Sequence, residues 1–140
     1  MKQSRVKYYD VAGVISLHDH ILSASGGSAG VLKPEALDSA VAAVQATFAG
    51  DPLLPSLADV AAGYLFYIVE SHPFVDANKR TAPMTALGFL DLNGHVITIE
   101  SNRRKWNQLM VGVASGKISR ERVAEIIASA MDSNPEIEPG

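Results

Sequence analysis

Five chemically active side chains lie within nine residues of one another, in the stretch HPFVDANKR. They are an imidazole, a carboxylate, a carboxamide, an ammonium group and a guanidinium, contributed by His72, Asp76, Asn78, Lys79 and Arg80. An imidazole can accept a proton from a hydroxyl group, and a carboxylate can hold Mg²⁺. A guanidinium can bind a phosphate through two parallel hydrogen bonds. Because phosphoryl transfer needs such a base, metal ligand and cations, the stretch predicts phosphate chemistry.

The place of Asn78, Lys79 and Arg80 in the chain favours the same interpretation, since a loop turns into a helix there. The free backbone N–H groups and the dipole of a helix start attract an anion. Asp76 is acidic in the same loop, which a phosphate site tolerates when Mg²⁺ bridges the carboxylate and the phosphate oxygens. Each residue taken singly also fits an ordinary solvated helix terminus. The residues alone therefore leave phosphate chemistry and a structural motif both open.

Two apolar helical segments flank the motif and must position it. Ser56 and Asp59 have the spacing of a capping box, which predicts a helix through Val69 that is apolar on nearly every side and therefore central. The helix after the motif is predicted to end at LDLNG, with Gly94 as its C′ residue. Pro83 is a difficulty, because proline fits only the first helical turn. Either this helix begins one or two residues after Asn78, or its first turn is bent.

The remaining segments complete an all-α prediction. Asp10 is the expected N-cap of a first helix over residues 11–22, and Pro34 the first turn of a second helix that runs to about residue 48. Residues 102–115 and 119–131 predict two closing helices. GDPLLP (50–55) predicts a loop or a short extended flap, and HVITIE (95–100) a short extended piece. We expect a single domain over residues 1–140, with a frayed tail from about residue 133.

Composition narrows the class of protein. The 140 residues carry a formal charge of −3, which gives no electrostatic basis for binding nucleic acid. There is no cysteine, which excludes a thiol nucleophile and thiolate metal ligands. No segment reaches the roughly 18 uninterrupted apolar residues of a membrane span, and MKQSRVKYYD lacks the apolar run of a signal peptide. We therefore predict a cytoplasmic protein with no direct nucleic-acid or membrane partner.

Two other segments contain residues that occur in metal or phosphate sites. LHDH contains His18, Asp19 and His20, a pairing that binds metal in some hydrolases. Such a site needs further His and Asp ligands, and only His72 and His95 remain as histidines; His18 and His20 also point to different faces of a helix. A polar helix surface is the stronger explanation. GGSAG (26–30) lacks the lysine and Ser/Thr of a phosphate-binding P-loop, which predicts a simple turn.

The motif resembles the signature of the Fic/Doc superfamily, H-x-F-x-(D/E)-G-N-G-R-x-x-R. It is most similar to the death-on-curing (Doc) toxin branch, in which lysine replaces the second glycine. Softer similarity covers LHD, GGSAG, ALDSAV and GFLDLNG. The resemblance implies a Fic-fold helical bundle with the motif loop between two central helices. It further implies ATP and Mg²⁺ as cofactors, His72 as the base, Asp76 as the metal ligand, and Asn78, Lys79 and Arg80 as the nucleotide-binding residues.

The branch decides which reaction the resemblance implies. Fic enzymes transfer AMP to a protein hydroxyl, and they use the second glycine and a second arginine, where this sequence has Lys79 and Pro83. Doc-like toxins are implied to bind ATP in the opposite direction and to move its γ-phosphate to a threonine of elongation factor Tu, which arrests translation. AMP transfer is the alternative, and an inactive Fic-fold binding module is a further one.

The resemblance also implies a partner. Some Fic enzymes are restrained by an inhibitory (S/T)-x-x-x-E-(G/N) helix, but no Ser or Thr of this sequence is followed four residues later by Glu. Restraint is therefore expected in trans, from a cognate antitoxin whose C-terminal segment folds on an apolar groove of the toxin.

Overall fold

Six helices and one small hairpin make up the described part of the chain. The computed structural model describes residues 5–97 and 103–132. Its helices are α1 Val11–Ser25, α2 Pro34–Ala43, α3 Leu57–Ser71, α4 Asn78–Leu92, α5 Arg103–Ala114 and α6 Arg120–Asp132, and a hairpin of β1 Thr47–Phe48 and β2 Asp51–Pro52 joins α2 to α3. The all-α prediction is confirmed, with the hairpin as its only strands within these ranges.

Helix α3 is the centre of the fold. It packs against α2, α4, α5 and α6, because its apolar residues lie on all sides of the helix and each must be buried. Tyr64, Leu65 and Ile68 are almost completely buried, as is Phe89 on α4. The Tyr64 hydroxyl donates to the Tyr9 carbonyl at 3.0 Å, which ties the segment before α1 to the core. The motif loop therefore joins the central helix to the neighbour that it packs against most closely.

The predicted helix ends are largely confirmed. The Asp10 carboxylate accepts from the Gly13 N–H at 2.8 Å and caps α1. Ser56 and Asp59 form the capping box at the start of α3. Gly94 follows α4 with a φ of 91°, the left-handed conformation that ends a helix at little cost when glycine adopts it. These signals are local in sequence, so they can be interpreted without knowing the fold.

Two predicted helix ends were wrong. Helix α1 continues to Ser25, so the break begins only at Gly26. Helix α2 ends at Ala43 and not near residue 48, because residues 47–48 pair with residues 51–52 across a two-residue turn. Both turn residues, Ala49 and Gly50, have positive φ, as the hairpin turn that matches strand twist requires.

The structure also tests the predicted start of the motif helix and the extended piece predicted at residues 95–100. Helix α4 begins at Asn78, so the later start is wrong, and Pro83 lies inside the helix. Residues 95–97 of the predicted extended piece have no regular structure, while residues 98–100 and the predicted tail lie outside the described residues. Of the helices described, none is both long and apolar enough to span a membrane.

Candidate active site

Two non-glycine residues in the left-handed region bracket the motif loop. His72 ends α3 with φ 53° and ψ 57°, and its N–H donates to the Ile68 carbonyl at 3.0 Å. Ala77 precedes α4 with φ 68° and ψ 23°, at the position where the Fic signature has glycine. Such conformations are unfavourable for residues with a Cβ atom, and they persist where surrounding contacts fix the backbone.

Asn78 supplies one of those contacts from inside the loop. Its side chain is 3% exposed. The carboxamide oxygen accepts from the Phe74 N–H at 3.0 Å, and the amide nitrogen donates to the Phe74 carbonyl at 2.9 Å. Asn78 therefore joins the start of α4 to the middle of the loop. Its assignment as a phosphate ligand remains a prediction.

His18 of α1 contacts the motif loop through its buried ring. Its ring is 1% exposed and stacks on the Phe74 ring, with centroids 3.8 Å apart and planes 6° from parallel. Nε2 lies 2.8 Å from the Asp76 carbonyl oxygen, and it is the donor because a carbonyl only accepts. The prediction of a polar helix surface is wrong for His18 and holds for its exposed neighbours Asp19 and His20. The sequence signal for this role of His18 was the similarity of LHD to the Fic/Doc family. The hydrophobic periodicity of α1 alone did not indicate it.

Asp76 is an ionised, half-exposed carboxylate held by backbone donors. Its Oδ2 accepts from the Ser28 N–H at 3.0 Å, and its Oδ1 accepts from the Ala77 N–H at 2.7 Å. These two hydrogen bonds are the main reason that its pKa lies below the usual range; desolvation opposes them, and Arg80 and His18 act in the same direction as the bonds. The carboxylate therefore keeps its charge at neutral pH and is available to a cation.

Arg80 is held by the end of α1. Its Nη1 donates to the Ser25 hydroxyl at 2.7 Å and to the Gly26 carbonyl at 2.8 Å, while Nη2 lies 3.8 Å from Asp76 Oδ2. The prediction that GGSAG is only a simple turn is therefore wrong, since Gly26 and Ser28 bind two of the predicted site residues. The signal that could have identified it was again the softer similarity in this segment.

A groove opens beside the two cations of the motif. It has a volume of about 650 Å³ and runs along α4 between α1 and α5, with Lys79 and Arg80 at one end and mostly apolar side chains along its length, including Leu17, Ile21, Pro83, Met84, Leu87, Trp106 and Met110. Lys79 is exposed. In the described part of the chain, neither His72 nor Asp76 lines this groove.

The predicted site residues are thus brought together in part. Asp76 and Arg80 are neighbours, Lys79 lies exposed next to Arg80 in the sequence, Asn78 turns into the loop, and His72 lies exposed at the loop's other end. Within residues 5–97 and 103–132 there is no cluster of three or more acidic or histidine side chains that could enclose a metal. A single ionised carboxylate nevertheless fits Mg²⁺, which takes few protein ligands and completes its shell with phosphate oxygens and water.

Comparison with known proteins agrees with the motif. The model of the Fic/DOC family matches residues 8–90. Protein kinase doc of Escherichia phage P1 is 39% identical over 114 residues, which cover 81% of this chain and 87% of that protein. Toxin Doc of Mycolicibacterium smegmatis is 36% identical over 105 residues, covering 75% of this chain and 81% of that protein. The chain therefore belongs to the Fic/DOC family and, within it, to the Doc branch.

Proposed function

We propose that this chain is the toxin of a toxin–antitoxin module and a protein Ser/Thr phosphotransferase. It moves the γ-phosphate of ATP to a threonine of elongation factor Tu and so arrests translation in the cytoplasm. The observation that carries the proposal is the Asp76 carboxylate 3.8 Å from the Arg80 guanidinium at the start of α4. An anion for Mg²⁺ beside a cation for phosphate is what phosphoryl transfer needs. Likeness to proteins named Protein kinase doc and Toxin Doc supports the proposal.

His72 is the proposed base. Its side chain is exposed, as a base must be when the hydroxyl that it deprotonates belongs to another protein. The threonine oxygen forms a bond to the γ-phosphorus while its proton passes to the imidazole. The bond from that phosphorus to the bridging β–γ oxygen breaks, and ADP leaves with the electron pair.

The other motif residues bind and orient the nucleotide. Asp76 would hold Mg²⁺, which when bound neutralises phosphate charge. Arg80 and Lys79 would bind phosphate oxygens, Arg80 through its planar fork and Lys79 as a point charge. Asn78 fixes the loop with its buried carboxamide and offers its backbone N–H at the helix start, where anions are favoured.

Two residues favour γ-phosphoryl transfer over the alternative, AMP transfer. Lys79 places a cation where the Fic signature has its second glycine. Pro83 is buried in the groove wall, where that signature has its second arginine and where proline supplies no charge. The phosphate-binding surface of a Fic enzyme is therefore altered at two positions, although this alteration alone does not define the product.

The groove is where we place the antitoxin. A disordered segment that folds on its partner needs an apolar surface to offset the loss of its conformational entropy. The apolar walls of the groove provide that surface, and Lys79 and Arg80 lie at its end next to the motif. A segment bound there covers both cations and so blocks nucleotide binding in trans.

ATP labelled at either the α or the γ position separates the candidate functions. The protein is incubated with Mg²⁺, purified elongation factor Tu and one of the two nucleotides. Transfer of γ label is the expected result; transfer of α label would replace it by AMP transfer, and no transfer would favour the inactive binding module.

The His72→Ala variant identifies the base in the same assay. We expect its rate to fall by at least about 100-fold, the usual contribution of a general base, with an unchanged melting temperature because the side chain is exposed. The exposed His95 provides the matched control, and His95→Ala should retain the full rate. A His72→Ala rate equal to that of wild type would remove the base from the mechanism.

A further inference from the structure

The turn between α1 and α2 contacts both halves of the proposed cofactor site. The Ser28 N–H donates to Asp76 Oδ2, and the Ser25 hydroxyl and Gly26 carbonyl accept from Arg80 Nη1. These bonds connect residues that are 48 to 55 positions apart in the chain. The turn therefore fixes the carboxylate and the guanidinium relative to one another, although they would otherwise be free to pair or to separate.

Gly27 lies at the point where these contacts converge. A Cβ atom added there would be 2.7 Å from Asp76 Oδ2, 2.7 Å from Leu22 Cδ2 and 3.0 Å from Arg80 Nη2. Its φ of 133° is also unfavourable for any residue with a side chain. The backbone thus passes directly against both site side chains, at a distance that only glycine permits.

A glycine outside the site allows the two effects to be separated. Gly116, between α5 and α6, also has a positive φ, 79°, but a Cβ atom there would meet nothing within 4 Å. Replacing either glycine by alanine strains the backbone, whereas only the change at Gly27 displaces other atoms. Those atoms are the ends of the flexible side chains of Asp76, Leu22 and Arg80, which can shift without disrupting the core, so two of the three displaced side chains belong to the proposed site.

We infer that residues 25–28 are a positioning element of the active site, which fixes the Asp76 carboxylate and the Arg80 guanidinium in place, 3.8 Å from one another, for a Mg²⁺-bound polyphosphate. The ligand class in this inference rests on the proposed function; the positioning itself does not. Gly27 acts by the close approach of its backbone, and Ser25 by accepting from the guanidinium. Neither is a catalytic residue, since both act through Asp76 and Arg80.

The test compares Gly27→Ala with Gly116→Ala in the full chain. Two quantities are measured for each: the side-chain NMR signals of Arg80 without ligand, which report the rotation of its guanidinium, and the affinity for ATP with Mg²⁺ by calorimetry. We expect similar melting temperatures for the two variants. Gly27→Ala should show free rotation of Arg80 and about a tenfold loss of affinity, the equivalent of one charge-assisted contact. Gly116→Ala should resemble wild type in both respects.

Identical Arg80 signals and affinities in the two variants would overturn the inference. Should Gly27→Ala not fold, Ser25→Ala gives the same decision, because it removes one acceptor of Arg80 without changing the backbone. Faster guanidinium rotation with a few-fold weaker affinity supports the inference, and unchanged rotation refutes it. Free rotation of Arg80 in Gly27→Ala combined with no phosphotransfer by wild type would refute the proposed function alone.

Discussion

The motif loop and the β1–β2 hairpin are both short connections that hold an alanine in the left-handed region, but they differ in what surrounds that alanine. Ala77 is buried, and its loop is bonded to His18, Ser28 and other residues far away in the chain. Ala49 is exposed, and the hydrogen bonds found in its hairpin join residues of the segment 46–53 to one another.

The difference indicates that the protein fixes the motif loop in one conformation and leaves the hairpin freer to move. An unfavourable backbone conformation at the motif is fixed by contacts from α1, the following turn and α4, so the site keeps one geometry. The hairpin has a similar conformation and an exposed Phe48 at 75%, but few contacts that would restore it once it is displaced. The loop is therefore expected to open only with its helices, and the hairpin by itself.

Removing the two hydrogen bonds between the Asn78 side chain and Phe74 should have the largest effect on stability. Asn78→Ala leaves the Phe74 N–H and carbonyl without their partners in a buried site, which costs about 3 kcal/mol in free energy of unfolding. Urea denaturation measures the loss. Asn107→Ala, on the exposed face of α5, is the control and should change the same quantity by less than about 0.5 kcal/mol. A small effect at Asn78 would mean that these two hydrogen bonds do not stabilise the loop.

Loss of the support from α1 should rank second. His18→Phe can keep a ring against Phe74 but cannot donate to the Asp76 carbonyl, so we expect a loss of about 1–2 kcal/mol. His20→Phe, on the exposed side of the same helix, is the matched control. If the two variants were equally stable by calorimetry, the hydrogen bond from His18 would contribute nothing to the loop.

Replacing Ala49 or Ala77 by glycine should change the free energy of unfolding by about 1 kcal/mol or less, and the two values test the comparison. Ala49→Gly relieves the left-handed strain without loss of buried surface, and the free energy of unfolding should rise by about 1 kcal/mol. Ala77→Gly gives the same relief but removes a buried methyl group worth about 0.8 kcal/mol, so the net change should be near zero. Equal gains at both positions, measured by urea denaturation, would contradict the difference in their surroundings.

The smallest effect should be the pH dependence contributed by Asp76. Its pKa is lower in the folded protein than the ordinary value of 3.8, so its stabilisation is fully present above that value and is lost as the pH falls through the lower folded pKa. Asp76→Asn should therefore be less stable than wild type by a constant amount near neutral pH. The gap should narrow only in acid below 3.8, and a gap that closed near neutral pH would contradict the assignment.

The parts of the fold that sequence could predict are those set by neighbours in the chain. The capping box of Ser56 and Asp59 and the end of α4 at Gly94 depend on contacts a few residues apart. Strand β1 could not be distinguished from a continuation of α2, because its pairing with β2, which lies in the predicted flap, depends on a turn that favours neither structure strongly. The central position of the motif followed from the apolar helices on either side.

The residue types of the candidate site could be predicted from the sequence, but its long-range hydrogen bonds could not. The residue types around Asp76 indicated phosphate chemistry, and the resemblance supplied the roles. The burial of His18 and the bonds from Ser25 and Ser28 depend on pairs 48 to 58 residues apart, for which periodicity carries no information. A polar residue on an amphipathic helix and a glycine-rich turn have the same local pattern whether or not they contact a site.

Pro83 has a mechanical consequence for the corner where the nucleotide is proposed to bind. It has no N–H group, so the Lys79 carbonyl lacks the partner that the next turn of α4 would normally provide. The first turn carrying Lys79 and Arg80 is therefore coupled to the remainder of the helix by one rung fewer. The position of that turn therefore depends more heavily on the buried Asn78 and its two hydrogen bonds to Phe74.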